Sequence, residues 1–430
     1  MLRNIEESFY FSGPELKKII NDFKSEMVLG LRGEKSSLKM IPAFVDRPTG
    51  NERGRFIALD LGGTNFRILE LLLSGRGKVS KLKEKKFLLP ERCIRGSATE
   101  LFGFIAKKIK EFSAQNEEKF LGFTFSFPVK QVSIKSGILL HWTKGFSVKG
   151  VEGRDVIGLL EQSLRQEGLD NIKVSALAND TVGTLIARAY NDHNCDVGVI
   201  WGTGTNACYR EDLRNIKKYK SGGKQKQMII NTEWGNFNKL KASLYDFILD
   251  RASLNPGAQM LEKMVSGMYQ GEISRLVILD LIKDKFLLSP KEEKFFRKPG
   301  NFKTEYMSVI EADKSLYLSS TLKLLKSLGI QKSSLEDRLF IQKCCVMVSL
   351  RAARISAAVL LAVIFKIDPK VSRRHTVAVD GSVFEKHPSF SVNVAKTVKG
   401  ILKEKYSKIK LVLTKDGSGT GAAIIAALGR

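Results

Sequence analysis

Four times along this chain a short apolar run stops at a turn that pairs glycine with an acid, threonine or serine. Phe56 to Leu59 ends in Asp60-Leu61-Gly62-Gly63-Thr64-Asn65, and Phe66 to Leu73 follows at once. Val197 to Trp201 breaks at Gly202-Thr203-Gly204-Thr205-Asn206 and resumes at Ala207-Cys208-Tyr209. Thr376 to Val379 leads into Asp380-Gly381-Ser382, and Lys410 to Leu413 leads into Asp416-Gly417-Ser418-Gly419. The first two patterns read as strand, tight glycine turn, strand. No repeat of solenoid type accompanies them. Helical patterns lie between: Leu16 to Leu31, Leu101 to Phe112, Asp155 to Gln166 and, longest, Leu339 to Val363. Strands and helices mixed in this order predict an α/β protein with two sheet-based halves.

Size agrees with two halves. A chain of 430 residues with 43% hydrophobic content exceeds what one core usually encloses. The longest apolar stretch, Ile355 to Phe365, is shorter than the roughly 20 residues of a spanning helix, so no membrane span is expected. The first residues, MLRNIEESFYFSG, carry early acids and no long apolar segment, and no secretory signal is read there. The five cysteines, Cys93, Cys195, Cys208, Cys344 and Cys345, have no CxxC spacing, and four scattered histidines make no zinc pattern. Reduced thiols and a cytoplasmic location are the expectation. The net charge of +26 raises polyanion binding. The lysines fall in separate groups (Lys78 to Lys86, Lys217 to Lys226, Lys403 to Lys410) with no aromatic residues interleaved at module-like spacing. A solvated basic surface is the favoured reading.

Glycine turns after strands suit phosphate, because the backbone can approach closely and aim N–H groups at the anion. The two threonine-bearing turns add hydroxyl donors, and Asp60 is placed to hold Mg²⁺ through water. No GxxxxGK[ST] occurs, which excludes a P-loop. Gly417, Gly419 and Ala422 satisfy GxGxxA, but a dinucleotide site needs an acid about 20 residues further on and the sequence stops at Arg430. Phosphoryl transfer to a hydroxyl also needs a proton acceptor. Asp180, in Asn179-Asp180 after the apolar run Val174 to Ala178, sits where a strand ends; a helix N-cap is the competing reading of this pair.

Taken together the chain resembles the hexokinase family over nearly its whole length. The likeness rests on Ser36-Ser37-Leu38-Lys39-Met40, Asp60 to Arg67, Phe125-Ser126-Phe127-Pro128, Trp142-Thr143-Lys144-Gly145-Phe146 and Asn179 to Thr184. It continues through Gly202 to Tyr209, Asn231-Thr232-Glu233-Trp234-Gly235, Glu262-Lys263-Met264 and Val379-Asp380-Gly381-Ser382. The resemblance implies a two-lobed actin-like ATPase (ribonuclease H-like) fold with a central cleft. Residues 54–179 would form the small lobe, completed by a C-terminal helix over 421–430; residues 1–53 and 181–420 would form the large lobe. It implies transfer of the γ-phosphoryl group of ATP, with Mg²⁺, to the 6-hydroxyl of glucose or a related hexose. Asp180 would be the base and Lys144 would stabilise moving charge. Ser126, Phe127, Pro128, Thr143, Lys144, Asn179, Asp180, Asn206, Glu233, Gln259 and Glu262 would line the sugar site. Asp60, Gly62, Gly63, Thr64, Asn65, Arg67, Gly202, Thr203 and Gly204 would meet the phosphates, and Gly381, Ser382, Gly417 and Ser418 the adenosine end. A monomer or homodimer is expected. A catalytically silent sugar sensor of the same fold is the alternative. Asn236, where a small apolar residue is usual, and a short stretch from Asn236 to Asn255 depart from the family pattern.

Overall fold

The computed structural model describes residues 2–62, 65–113, 117–143, 145–219 and 226–430. Ten strands build two sheets of the same design. The first contains β1 (Arg53–Leu61), β2 (Asn65–Gly75), β3 (Lys78–Leu88), β4 (Lys119–Phe125) and β5 (Ile172–Ala178), in the order β3-β2-β1-β4-β5. The second contains β6 (Cys195–Trp201), β7 (Thr205–Asp212), β8 (Gln227–Asn231), β9 (His375–Asp380) and β10 (Ile409–Leu413), in the order β8-β7-β6-β9-β10. The short strand Ile41–Pro42 extends this second sheet beyond β8. In each sheet the first three strands form an antiparallel meander, and two parallel strands follow on the other side of the first.

The period-2 alternation of the strands sorts their side chains into separate layers. Along β1, Ile57, Leu59 and Leu61 face outward to α2 (Ala98–Phe112) and α3 (Val156–Gln166). Phe56 and Ala58 face inward, toward α4 (Asp180–Ala189) and the C-terminal helix. On β6, Val197, Val199 and Trp201 pack outward with α1 (Gly13–Arg32) and the long helix of residues 335–367, while Cys195, which lies beyond a break in the pairing register with β9, joins the inner layer. Five layers result: helices, sheet, two central helices, sheet, helices. A further, largely helical cluster is built around α5 (Leu244–Ala252) and α7 (Gly267–Lys283), with Tyr245, Ile273 and Val277 in its core; between them α6 (Met260–Val265) packs Leu261, Met264 and Val265 into the layer of Val197 and Trp201.

Most differences from the sequence expectation lie at element ends. The apolar run of Leu16 to Leu31 becomes α1, lengthened by a Ser12–Glu15 capping box and stopped by Gly33 in the left-handed region at φ 80°. The apolar stretch Ile355 to Phe365 lies within α8 (Leu335–Ile367), a 33-residue helix. By length and composition α8 could cross a membrane, yet 83% of its most apolar window is buried inside the protein. Its buried face packs against α1 and α9 (Phe390–Leu402). The C-terminal helix, expected from Gly421, begins four residues earlier as α10 (Gly417–Leu428). It lies on β1, β4 and β5 and on α4 at once.

Candidate active site

The parallel strands of both sheets point their C-terminal ends at the space between the lobes, where ligands of open α/β sheets are generally held. β5 ends at Ala178. Asn179 then caps α4, its Oδ1 accepting from Thr181 N at 2.9 Å. Asp180 occupies the first helical position and its Oδ1 also accepts from Thr181 N, at 2.8 Å. The cap reading holds for Asn179, and the acid beside it stands at the positive end of the helix dipole. The first turn of α4 rests on β6 and β7. The Cys208 thiol donates to Thr181 O at 3.2 Å, and a Cβ on Gly198 would fall 2.7 Å from the same carbonyl.

Two residues back along β7 a polar triangle begins. Asn206 Nδ2 donates to Asn231 Oδ1 at 2.8 Å and to Glu233 Oε1 at 3.1 Å. Asn231 Nδ2 donates to the same Glu233 oxygen at 2.8 Å. Asn231 was not among the expected sugar residues, although its motif was recognised. Glu262 reaches this group from α6, its Oε2 accepting from Thr205 N at 3.0 Å. The Gln259 side chain covers Gly235, where a Cβ would come within 2.3 Å of Gln259 Oε1. Glu233 and Gln259 both adopt left-handed backbone, at φ 53° and 57°. Strain of this kind persists only where the surroundings enforce it, and it concentrates at ligand sites.

At the end of β4 in the first sheet, Ser126 N donates to Leu61 O at 3.1 Å, and the Ser126 hydroxyl lies 3.8 Å from a Cβ built on Gly62. The Phe127 ring is buried among Phe125, Trp142 and Phe146, so its side chain is part of the core and any sugar contact falls to its backbone. Pro128 caps the start of the following hairpin, its carbonyl accepting from Leu140 N at 2.9 Å. The Thr143 carbonyl accepts from Phe146 N at 3.1 Å. Lys144, Gly63 and Thr64 lie outside the described residues.

A second polar group is organised by Arg67. Its guanidinium donates to Asp60 Oδ2 at 2.6 and 3.2 Å and to the Ser418 hydroxyl at 3.2 Å, and it pairs with Asp416. Ser418 Oγ in turn donates to Asp60 Oδ2 at 2.8 Å. Burial acts to lower the Arg67 pKa, but the Asp60 and Asp416 carboxylates outweigh it and hold the group charged. A recess of about 430 Å³ opens here, lined by Asp60, Gly62, Asn65 and Arg67 and by Lys86 to Leu88 of β3. On the opposite wall Gly202 N donates to Gly204 O at 3.0 Å, and the Gly202 and Thr203 carbonyls accept from Gly267 N (2.8 Å) and Met268 N (3.2 Å). Gly381, at φ 116°, lies so near that a Cβ would come within 2.4 Å of the Trp201 carbonyl. Ser382 opens the short helix that follows. Asp380 was not among the expected site residues. Burial pushes its carboxyl up; the Gly381 N–H and Arg67 oppose this, and the Asp180 and Asp416 carboxylates add to it. These charges therefore share one space, and Asp180 and Arg67 face it from opposite lobes.

Two hexokinase family models match the chain, over residues 1–190 and 196–428. The chain belongs to the hexokinase family. Hexokinase-2 of Oryza sativa subsp. japonica is 42% identical over 99% of this chain and 90% of its own length. Human Hexokinase-2 is 38% identical over 97% of this chain, which spans only 47% of that relative. A hexokinase from Schistosoma mansoni, solved in complex with glucose, superposes with a TM-score of 0.89 at 38% identity, covering 99% of this chain and 97% of its own. Another hexokinase crystal structure gives 0.85 at 32% identity. The chain matches a single hexokinase unit, and it is an ATP-dependent phosphotransferase. Its two mixed sheets are those of the hexokinase fold.

Proposed function

We propose that this chain transfers the γ-phosphoryl group of Mg-ATP to the 6-hydroxyl of glucose or a closely related hexose. The observation that carries the reading is the position of Asp180, at the start of α4, with the Asn206–Asn231–Glu233 triangle on one side and Arg67 and Asp380 on the other. The glucose complex of the similar Schistosoma hexokinase supports the choice of sugar.

In this reading Asn206, Asn231, Glu233, Gln259 and Glu262, with Ser126, Thr143, Lys144 and Asn179, hold the ring hydroxyls. A ring of amides and carboxylates matches a hexose, in which every hydroxyl both donates and accepts. The Asp180 carboxylate takes the proton of the 6-hydroxyl. That oxygen forms its bond to the γ-phosphorus as the bond from phosphorus to the ADP oxygen breaks. Arg67, the Gly62 to Asn65 turn and the Gly202 to Gly204 turn orient the phosphates, and Lys144 meets developing charge. Gly381, Ser382, Gly417 and Ser418 border the adenosine. Mg²⁺, entering with the nucleotide, would supply positive charge to the phosphate oxygens. Asp60 would hold it through water, its carboxylate fixed in place by the bonds that Oδ2 accepts from Arg67 and Ser418. Closure of a lobe of residues 54–179 with 421–430 onto a lobe of 1–53 with 181–420 would exclude water from the reaction.

The test is ADP production from Mg-ATP with and without glucose, for wild type and Asp180→Ala. Glucose-dependent turnover that falls on the order of 10²–10⁴-fold in the variant, with sugar binding largely retained, is expected. Near-normal turnover in folded Asp180→Ala removes Asp180 as the base. Sugar binding without turnover in wild type makes the chain a sensor.

A further inference from the structure

We infer that the buried Lys263–Asp250 ion pair is a positioning device for the sugar site, holding the loop and helix that present Gln259 and Glu262. The inference rests on the hexose-kinase reading of that site.

Lys263 is 1% exposed. An ammonium so deeply buried is costly unless its charge and its protons are matched. The charge and two of the three N–H donors are matched, from one helix and one loop. Lys263 Nζ lies 2.6 Å from Asp250 Oδ1, in α5, and 2.8 Å from the Asn255 carbonyl. The Asp250 carboxylate also accepts from Gly257 N, at 2.9 and 3.0 Å. Burial pushes the Asp250 carboxyl up, but Lys263 and the Gly257 N–H outweigh this and hold it below its usual range. The pair thus grips the connection between α5 and α6 at two backbone points, Asn255 and Gly257.

What the connection delivers explains why it is gripped. Two residues beyond Gly257, Gln259 is held in the left-handed region and lays its amide over Gly235. Gln259 O accepts from Lys263 N at 2.9 Å, which starts α6. Within α6, Glu262 and Lys263 are consecutive, so their side chains leave the helix about 100° apart. Glu262 reaches forward to Thr205 N at 3.0 Å, and Lys263 reaches back to Asp250. One helical turn is therefore clamped from both sides. α6 has only six residues and cannot fix its own orientation by helix stability alone. Lys263 touches no reacting group, and its effect on the sugar passes through Gln259 and Glu262.

The experiment compares Lys263→Met, Asp250→Asn, the double variant and Lys263→Arg with wild type. Steady-state constants for glucose and ATP, calorimetric glucose binding without nucleotide, and thermal midpoints are measured on each. Loosening the clamp displaces Gln259 and Glu262, and misplacement of about 1 Å costs up to about 100-fold. The expected result is a rise in the glucose KM and dissociation constant on the order of 10–100-fold, with the ATP KM unchanged. The double variant should be no worse than the worse single one, because both break the same link. Lys263→Arg keeps the charge and at least one bond, and should recover much of the affinity. Glucose constants within two-fold of wild type, alongside a lowered midpoint, would show a purely structural pair and overturn the inference. An equal rise in the ATP KM would do the same. If Lys263→Met does not fold, Lys263→Arg and Asp250→Asn decide by the same criteria. Failure of the kinase reading itself is distinguishable, because wild type would then show no glucose-dependent ADP.

Discussion

Replacing Gly421 by alanine should drive apart the two central helices on which both lobes rest. α4 and α10 meet through bare backbone. A Cβ on Gly421 would lie 2.0 Å from the Gly183 carbonyl oxygen and 2.4 Å from the Gly183 Cα. Ordinary contact begins near 3.4 Å, so the methyl falls short by about 1.4 Å. The obstructing atoms are backbone, so no side-chain rotation can relieve the clash. One of the helices must move, at a cost of about 1–3 kcal/mol or more. The same displacement carries Asp416 and Ser418 away from Arg67 and Asp60, since all four meet at the N-terminal end of α10. A shift near 1 Å at an aligned phosphate site is worth up to about 100-fold in turnover. The control is Gly103→Ala, in the middle of α2, where a Cβ meets nothing within 4 Å. There the substitution should stabilise by about 0.5–1 kcal/mol and leave kinetics unchanged. Thermal and urea unfolding, with steady-state ATP kinetics, read both variants. If Gly421→Ala matches wild type in stability and turnover, the close helix contact is not what couples the lobes, and the reasoning fails.

Arg351 and Asp246 form a two-bonded ion pair, at 2.6 and 2.8 Å, with side chains 0% and 2% exposed. Arg351→Met should destabilise by about 3–5 kcal/mol because it strands a buried carboxylate, whereas Arg351→Met with Asp246→Leu should cost markedly less; urea unfolding of the three proteins checks this. Glu26 supplies an acid-side prediction. Burial pushes its carboxyl up, but Lys239 at 2.8 Å and the Ser36 and Ser37 donors bring it down from 4.5 to about 2. A lowered folded-state pKa contributes stability that is complete above pH 4.5 and is lost as pH falls through about 2. Glu26→Gln should therefore be less stable than wild type at pH 7, and the gap should close across that window. A gap independent of pH would remove Glu26 as its source.

The sequence alone determined the parts of this protein that are local. A strand stopping at a glycine turn depends on neighbours within a few residues, so the turns at Asp60 and Gly202 and the strands on either side were legible. Likewise the apolar periodicity of α1 and α8 exposed their existence, though their caps and last turns, which carry no apolar signal, were not read. Asp180, Glu233 and Glu262 could be named because their motifs carry the family likeness. Their geometry could not. Arg67 meets Asp416 across 349 residues, and Asn206 meets Asn231 and Glu233 only because β7 and β8 pair in one register. The left-handed backbone of Glu233 and Gln259 left no trace in residue type, since glycine, the usual marker, is absent at both. The clamp of Lys263 on Asp250 was hidden for a related reason: in sequence it is a lysine on a short helix, and only burial turns its charge into a constraint. Local chemistry thus specified which groups the chain possesses. Tertiary packing decided which of them share a space, because the energy of that choice comes from contacts between residues on different elements, 13 positions apart for Lys263 and Asp250 and 349 for Arg67 and Asp416.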